Sequence, residues 1–233
     1  MSEHRLLKQL AVKKAIEQIR NGYIVGLGSG STIEEGLKEI ARVLKERNID
    51  ATFIPTSYQI ELAAIRNGLR LGLFTEYPEP DVAIDGADEV DKNLDLIKGG
   101  GGALLREKIV DSAAKKLLIL VDEWKIVKEL GEKQPVPLEV LPFAHQAVIR
   151  RISRLEGRPM LREGKGKLGP IVTDNGNFIV DADFGPIHNP RELEARLRSI
   201  PGVIETGLFI GLAHSVYVAR GNGSVQILER QSS

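Results

Sequence analysis

The chain contains no cysteine, which excludes disulfides, thiolate nucleophiles and cysteine-ligated metals. Aromatic residues make up only 5% of it, with a single tryptophan. Net charge is also missing: 32 basic side chains balance 32 acidic ones. That balance argues against a broad nucleic-acid surface and against a polybasic membrane anchor. There is no long apolar run either. The longest aliphatic stretch is "LLILV" at 117–121, where a membrane span needs about 20 apolar residues. The opening "MSEHRLLKQL" has no apolar segment of the kind found in secretory signals. The cytoplasm is therefore the expected compartment, and neither nucleic acid nor membrane is an expected partner. The rest of the composition is globular, 42% hydrophobic and 27% charged. The 233 residues suffice for one large domain or two small ones.

Apolar spacing predicts a helix over 5–20. Short apolar strands then alternate with amphipathic helices. The expected elements are strand 22–28, helix 31–47, strand 51–55, helix 57–68, strand 69–74, strand 81–88, helix 103–115 and strand 116–122. Ser31 or Thr32 is placed to cap the second helix. Such alternation indicates an α/β fold with a mostly parallel sheet and helices on both faces. In these sheets the ligand crevice lies beyond the carboxyl ends of the strands. The glycines at 26–30, the acids at 85–91 and Asp122 are expected to gather on that edge. Near residue 134 the character changes, with three prolines in "KQPVPLEVLP". Strands at 136–141, 158–163, 170–173, 177–182 and 202–208 follow, with helices at 143–155 and 190–198. Asn175-Gly176 is a strong hairpin turn. With the short strands around it merged, the pattern is βαββαβ, which is ferredoxin-like. Two last strands, "SVYVAR" and "SVQILE", are expected to return to the first domain.

Three motifs carry chemistry. In "GLGSGST" (26–32) a glycine turn leads into a helix, so exposed N–H groups and the hydroxyls of Ser29, Ser31 and Thr32 suit a phosphate. A tight turn with a good cap would look the same. The dinucleotide fingerprint fails because residue 31 is serine, and the P-loop fails for want of a lysine. In "DGADEVD" (85–91) the acids can hold a metal, move protons or merely solvate a loop. No histidine is nearby and the calcium-loop spacing is absent, so no metal site is expected. Glu89 and Asp91 are expected to be solvated surface. In "KGGGGALLREKI" (98–109) four glycines can curl around a ligand. Glu107 lies about one helical turn beyond them. It fits a general base, with Lys98 and the glycine N–H groups facing an oxyanion. Taken singly, it reads first as a helix-surface acid paired with a neighbouring lysine or arginine.

These motifs, followed by "VDEWK", "PVPLEVLP", "VTDNGNFIVD" and "IPGVIETGLF", resemble the type A ribose-5-phosphate isomerases from about residue 20 to 228. The resemblance implies a Rossmann-like domain of residues 1–133 and 208–233 and a smaller ferredoxin-like α+β domain of 134–207. It implies interconversion of D-ribose 5-phosphate and D-ribulose 5-phosphate through an enediolate, in the pentose phosphate pathway, with no cofactor and no metal. Glu107 falls on the family's general base. Asp85, helped by Lys98, would serve ring opening or hydroxyl proton transfer, and Asp88 would orient sugar hydroxyls. The substrate-contacting stretches fall on Ser29, Gly30, Ser31 and Thr32; on Asp85, Gly86, Ala87 and Asp88; and on Lys98, Gly99, Gly100 and Gly101. Lys125 completes the set, with Lys8 as a further positive charge. A homodimer or tetramer is implied too. The chain departs from many bacterial members in having Ser29 for threonine and four glycines for three, which leaves open which glycine N–H groups meet the substrate. Competing readings are a coenzyme A transferase-like enzyme on a similar fold, with a glutamate nucleophile, and a sugar-phosphate-binding sensor domain of a transcription regulator. A sensor would carry a helix-turn-helix, and only one helix precedes the first strand.

Overall fold

The computed structural model describes residues 3–164, 166 and 168–230. In chain order the elements are α1 (Glu3–Ile16), β1 (Ile24–Leu27), α2 (Ser31–Arg47), β2 (Thr52–Pro55), α3 (Tyr58–Arg66), β3 (Val82–Gly86), β4 (Glu89–Val90), β5 (Leu96–Ile97), α4 (Leu104–Ala113) and β6 (Leu117–Asp122). Then come β7 (Val136–Val140), α5 (His145–Arg154), β8 (Arg158–Leu161), β9 (Phe178–Asp183), α6 (Pro190–Arg198), β10 (Val203–Thr206), β11 (Leu208–Phe209), β12 (Ser215–Ala219) and β13 (Val225–Glu229). The fold is mixed α/β, with a mostly parallel six-stranded sheet and a small antiparallel one.

Two compact units divide the chain. The first comprises residues 1–87, 106–126 and 211–233. Its sheet has the order β13-β12-β6-β3-β1-β2, parallel throughout except for the β12–β13 hairpin. The last two strands do return to this sheet. β6 is buried along its whole length, as an apolar strand between two parallel neighbours must be. Leu37 and Ile40 of α2, Ala11 and Ile16 of α1 and Phe53 of β2 fill the same core. The expected strand at 69–74 is reduced to one bridge, Phe53 to Leu71. The ladder goes no further, and Leu73 points into solvent.

The second unit comprises residues 88–105 and 127–210. Residues 88–105, 127–133 and 208–210 thus group here, whereas the expected boundaries put them with the first domain. A four-stranded antiparallel sheet, β10-β7-β9-β8, packs one face on α5 and α6. Val136, Leu138, Val140, Val180 and Ala182 meet Val148, Ile152 and Leu197 there. The expected strand at 170–173 is absent as a strand. Two isolated bridges, Glu163–Pro170 and Val172–Phe178, stand in its place. The Asn175-Gly176 turn does form, with Gly176 at φ 79° and Thr173 N donating to Asn177 O at 2.8 Å. A separate three-stranded sheet, β11-β5-β4, is built from two-residue strands that the sequence pattern did not indicate.

Candidate active site

In the first unit the chain leaves β1 on one side for β2 and comes back on the other side at β3. The carboxyl ends of β1 and β3 thus flank the switch point where such sheets form a crevice. The turn after β1 and Asp85, at the carboxyl end of β3, meet there. A Cβ on Gly28 would lie 2.0 Å from Cγ and Oδ1 of Asp85, so only glycine lets this carboxylate lie against the backbone. Asp85 is fully buried, and its Oδ1 accepts the Gly86 N–H at 2.6 Å. Thr32 sits beside Gly86, its Oγ1 3.8 Å from the position of an added Cβ.

Glu107 stands in the first turn of α4 and is 5% exposed. A surface acid is therefore ruled out. Its Oε1 accepts the Ser29 N–H at 3.3 Å, which ties the carboxylate to the glycine turn. The Ser29 hydroxyl lies 2.8 Å from Thr56 Oγ1 and donates to Ser57 Oγ at 2.7 Å. Ser57 in turn caps α3 by accepting from Ile60 N. Thr56 and Ser57 were not picked out from the sequence. The available signal was a hydroxyl pair directly after β2, on the same sheet edge.

Neither Ser31 nor Thr32 caps α2. The cap position is Gly30, at φ 91°, with no side-chain hydrogen bond. The Ser31 hydroxyl instead accepts from Lys8 Nζ at 2.9 Å, while Lys8 also reaches Glu35 at 3.3 Å. The start of this 17-residue helix therefore keeps its amide donors free of side-chain caps and has an ammonium group beside it. Lys125, half-buried in the turn after β6, makes no hydrogen bond to these residues among those described.

In the second unit Asp88 Oδ2 accepts the Gly100 N–H at 2.8 Å, and Asp88 N donates to Ile97 O. Lys98 is 3% exposed, with its ammonium 5.3 Å from the centroid of the Phe209 ring. Its backbone N–H donates to Gly207 O, which fixes the start of the glycine run. Gly99 takes φ 104°, where a side chain would also strike Leu104.

Glu89 and Asp91 are not solvated surface. Glu89 is 0% exposed and accepts three backbone N–H groups, from Gly131, Lys133 and Gln134, at 2.6–2.8 Å. Asp91 is buried and holds the N–H groups of Asn93 and Asp95. Both are structural anchors, since a buried carboxylate is stable only when such donors surround it. Among the described residues no group of three or more His, Cys, Asp or Glu side chains is arranged to hold a metal ion.

The family model for ribose 5-phosphate isomerase A (phosphoriboisomerase A) matches residues 52–223. The chain belongs to the ribose 5-phosphate isomerase A family. It is 47% identical to the ribose-5-phosphate isomerase A of Archaeoglobus fulgidus, over 95% of this chain and 98% of that one. It is 43% identical to the human ribose-5-phosphate isomerase, over 99% of this chain and 75% of that one. The solved ribose 5-phosphate isomerase A of Methanocaldococcus jannaschii superposes with a TM-score of 0.92 at 41% identity, covering 98% of this chain and all of that one. A D-ribose-5-phosphate isomerase in complex with phospho-erythronic acid superposes with a TM-score of 0.93 at 45% identity, covering 96% and 98%. Members are aldose–ketose isomerases, so the coenzyme A transferase and sensor readings lose their ground.

Proposed function

We propose that this member of the family interconverts D-ribose 5-phosphate and D-ribulose 5-phosphate through an enediolate, with Glu107 as the base. The observation that carries the assignment is the Glu107 carboxylate, buried in the first turn of α4 and held by the Ser29 N–H. In the open-chain aldose the C2 proton is acidified by the C1 carbonyl. Glu107 takes that proton and returns it to C1, leaving the ketone at C2. The negative charge that develops on oxygen is assigned to Lys98 and the glycine N–H groups. Asp85 manages the hydroxyl proton in ring opening and transfer. Asp88 accepts from sugar hydroxyls.

The phosphate is assigned to the start of α2, where Ser31 and Thr32 bring amide donors and hydroxyls next to Lys8, and where the Gly30 N–H is held by Gln59 Oε1 at 3.3 Å. A dianion gains charge-assisted hydrogen bonds there, about twice as strong as neutral ones. The site is remote from C1 and C2, so its binding energy positions the reacting carbons. Lys125 is assigned to the same sugar phosphate on the family resemblance. That a family member binds phospho-erythronic acid, a phosphorylated acid, agrees with this reading. The family's metabolic role supports a cytoplasmic location. A dimer or tetramer is expected from the family, and from Met160 exposed on the β8–β9 sheet; light scattering measures it.

Glu107→Gln tests the base. It keeps the shape and one acceptor oxygen but cannot take a proton. The kcat should fall by about 10²–10⁴ with substrate binding retained. Near-normal turnover of the purified variant would remove Glu107 from the role.

A further inference from the structure

Arg162, just beyond β8, has no role in the reading above. Its guanidinium grips Asp181 of β9 with two prongs, Nε to Oδ2 at 2.7 Å and Nη2 to Oδ1 at 2.5 Å. That fork leaves Nη1 for the glycine run. Nη1 donates to Gly99 O at 2.9 Å and to Gly100 O at 3.0 Å. A planar guanidinium fixed by a bidentate carboxylate has little freedom left, so it is a rigid clamp on two successive carbonyls.

The consequence follows from peptide geometry. In a trans peptide the C=O and N–H point in opposite directions, and no described peptide bond is cis. The Gly99 carbonyl and the Gly100 N–H share one peptide. Its carbonyl goes to Arg162, and its N–H goes to Asp88 on the far side. The Gly100 carbonyl and the Gly101 N–H share the next peptide, whose carbonyl also goes to Arg162. The Gly101 N–H therefore points away from Arg162, toward the side that holds Asp88. The Gly100 N–H is already committed to Asp88, and the Gly102 N–H to Gly99 O at 3.0 Å. Gly101 is exposed, and an added Cβ would meet nothing within 4 Å.

We propose that Arg162 is a positioning residue that aims the Gly101 N–H, making it the glycine run's backbone donor to the substrate oxyanion. The inference rests on the isomerase reading above and deepens it. A run of glycines has many accessible conformations. Clamping two carbonyls removes that freedom before substrate arrives, so the donor needs no reorganisation during reaction. The cation on each carbonyl also polarises its peptide and strengthens the opposite N–H.

The test compares wild type with Arg162→Gln and Arg162→Lys, the second keeping the charge but not the fork. Arg158→Ala is the control, because Arg158 pairs with Asp183 on the same two strands but at an exposed position. Both Arg162 variants should lose about 10- to 100-fold in kcat, with KM nearly unchanged. Arg158→Ala should match wild type. In protein labelled with ¹⁵N-glycine, phospho-erythronic acid should shift the Gly101 amide in wild type and much less in Arg162→Gln. If the Arg162 variants fold poorly, Asp181→Asn loosens the fork while keeping Arg162, and kcat should still fall several-fold. An active wild type whose folded Arg162 variants turn over within twofold of it, or show an unchanged Gly101 response, would overturn the inference and leave the isomerase reading standing. A wild type unable to isomerise ribose 5-phosphate would overturn that reading, and this inference with it.

Discussion

After β1 the chain reads Gly-Leu-Gly-Ser-Gly, and after β5 it reads Lys followed by four glycines. In the first turn the glycines make room. Gly28 admits the Asp85 carboxylate, and the turn is further held by Thr56, Ser57, Gln59, Glu107 and Lys8 from the adjoining segments. In the second, the glycines supply backbone donors, and their direction is set from outside by Arg162, more than sixty residues away in sequence. A glycine cluster is thus two different devices. One is a steric allowance beside a sheet edge. The other is a flexible run that works only once a distant side chain has stiffened it.

The largest effect that separates the two devices is steric. Gly28→Ala places a methyl group 2.0 Å from Asp85 Cγ, so the carboxylate or the turn must move. A displacement of about 1 Å in a catalytic group can cost 10²-fold, and kcat/KM should fall by at least that much. Stability should drop by about 1–3 kcal/mol, measurable by denaturant unfolding. Gly101→Ala meets no atom and should cost far less stability. Equal losses of stability in the two variants would erase the distinction.

A smaller effect sharpens the phosphate assignment within the first turn. Thr32→Val removes one hydroxyl at the start of α2. It should lower kcat/KM for ribose 5-phosphate by about tenfold, the equivalent of one good hydrogen bond to a charged group. The much poorer turnover of free ribose should stay the same. Equal losses on both substrates would move Thr32 away from the phosphate.

The smallest effect serves as a reference at the other end of the sheet. Asp81 precedes β3 and accepts from Lys115 at 2.7 Å and from Ile24 N at 3.0 Å. The Lys115 hydrogen bond, followed by that of the Ile24 N–H, holds its carboxyl below the usual aspartate range. Its contribution is therefore complete above the ordinary aspartate pKa of about 4 and is lost as pH falls through the depressed folded value. Asp81→Asn should cost about 1 kcal/mol at pH 7, less in acid, and leave kcat unaltered. A deficit that grew on acidification would contradict the sign.

Much of the site could be read in advance because its pieces are local. Strand–glycine–helix and strand–acid junctions are short-range patterns, and the parallel order brings their ends together. Glu107 was visible as a residue, but its burial was not, since spacing alone fits an exposed helix face as well. Glu89 and Asp91 misled for the same reason. A carboxylate in an acidic cluster looks solvated until the backbone donors around it are known, and those of Glu89 lie beyond residue 130.

What the sequence alone determined is therefore the α/β alternation and the family. Periodicity and turn chemistry are encoded within a few residues of where they act. Only the tertiary structure decided three further matters: that residues 88–105 fold with the second unit, that β4, β5 and β11 exist at all, and that Arg162 clamps the glycine run. A two-residue strand has no period of its own and is defined by its partner. A guanidinium more than sixty residues away leaves no mark in the local sequence of the loop it orders, because hydrogen bonds to backbone carbonyls ask nothing of the side chains there.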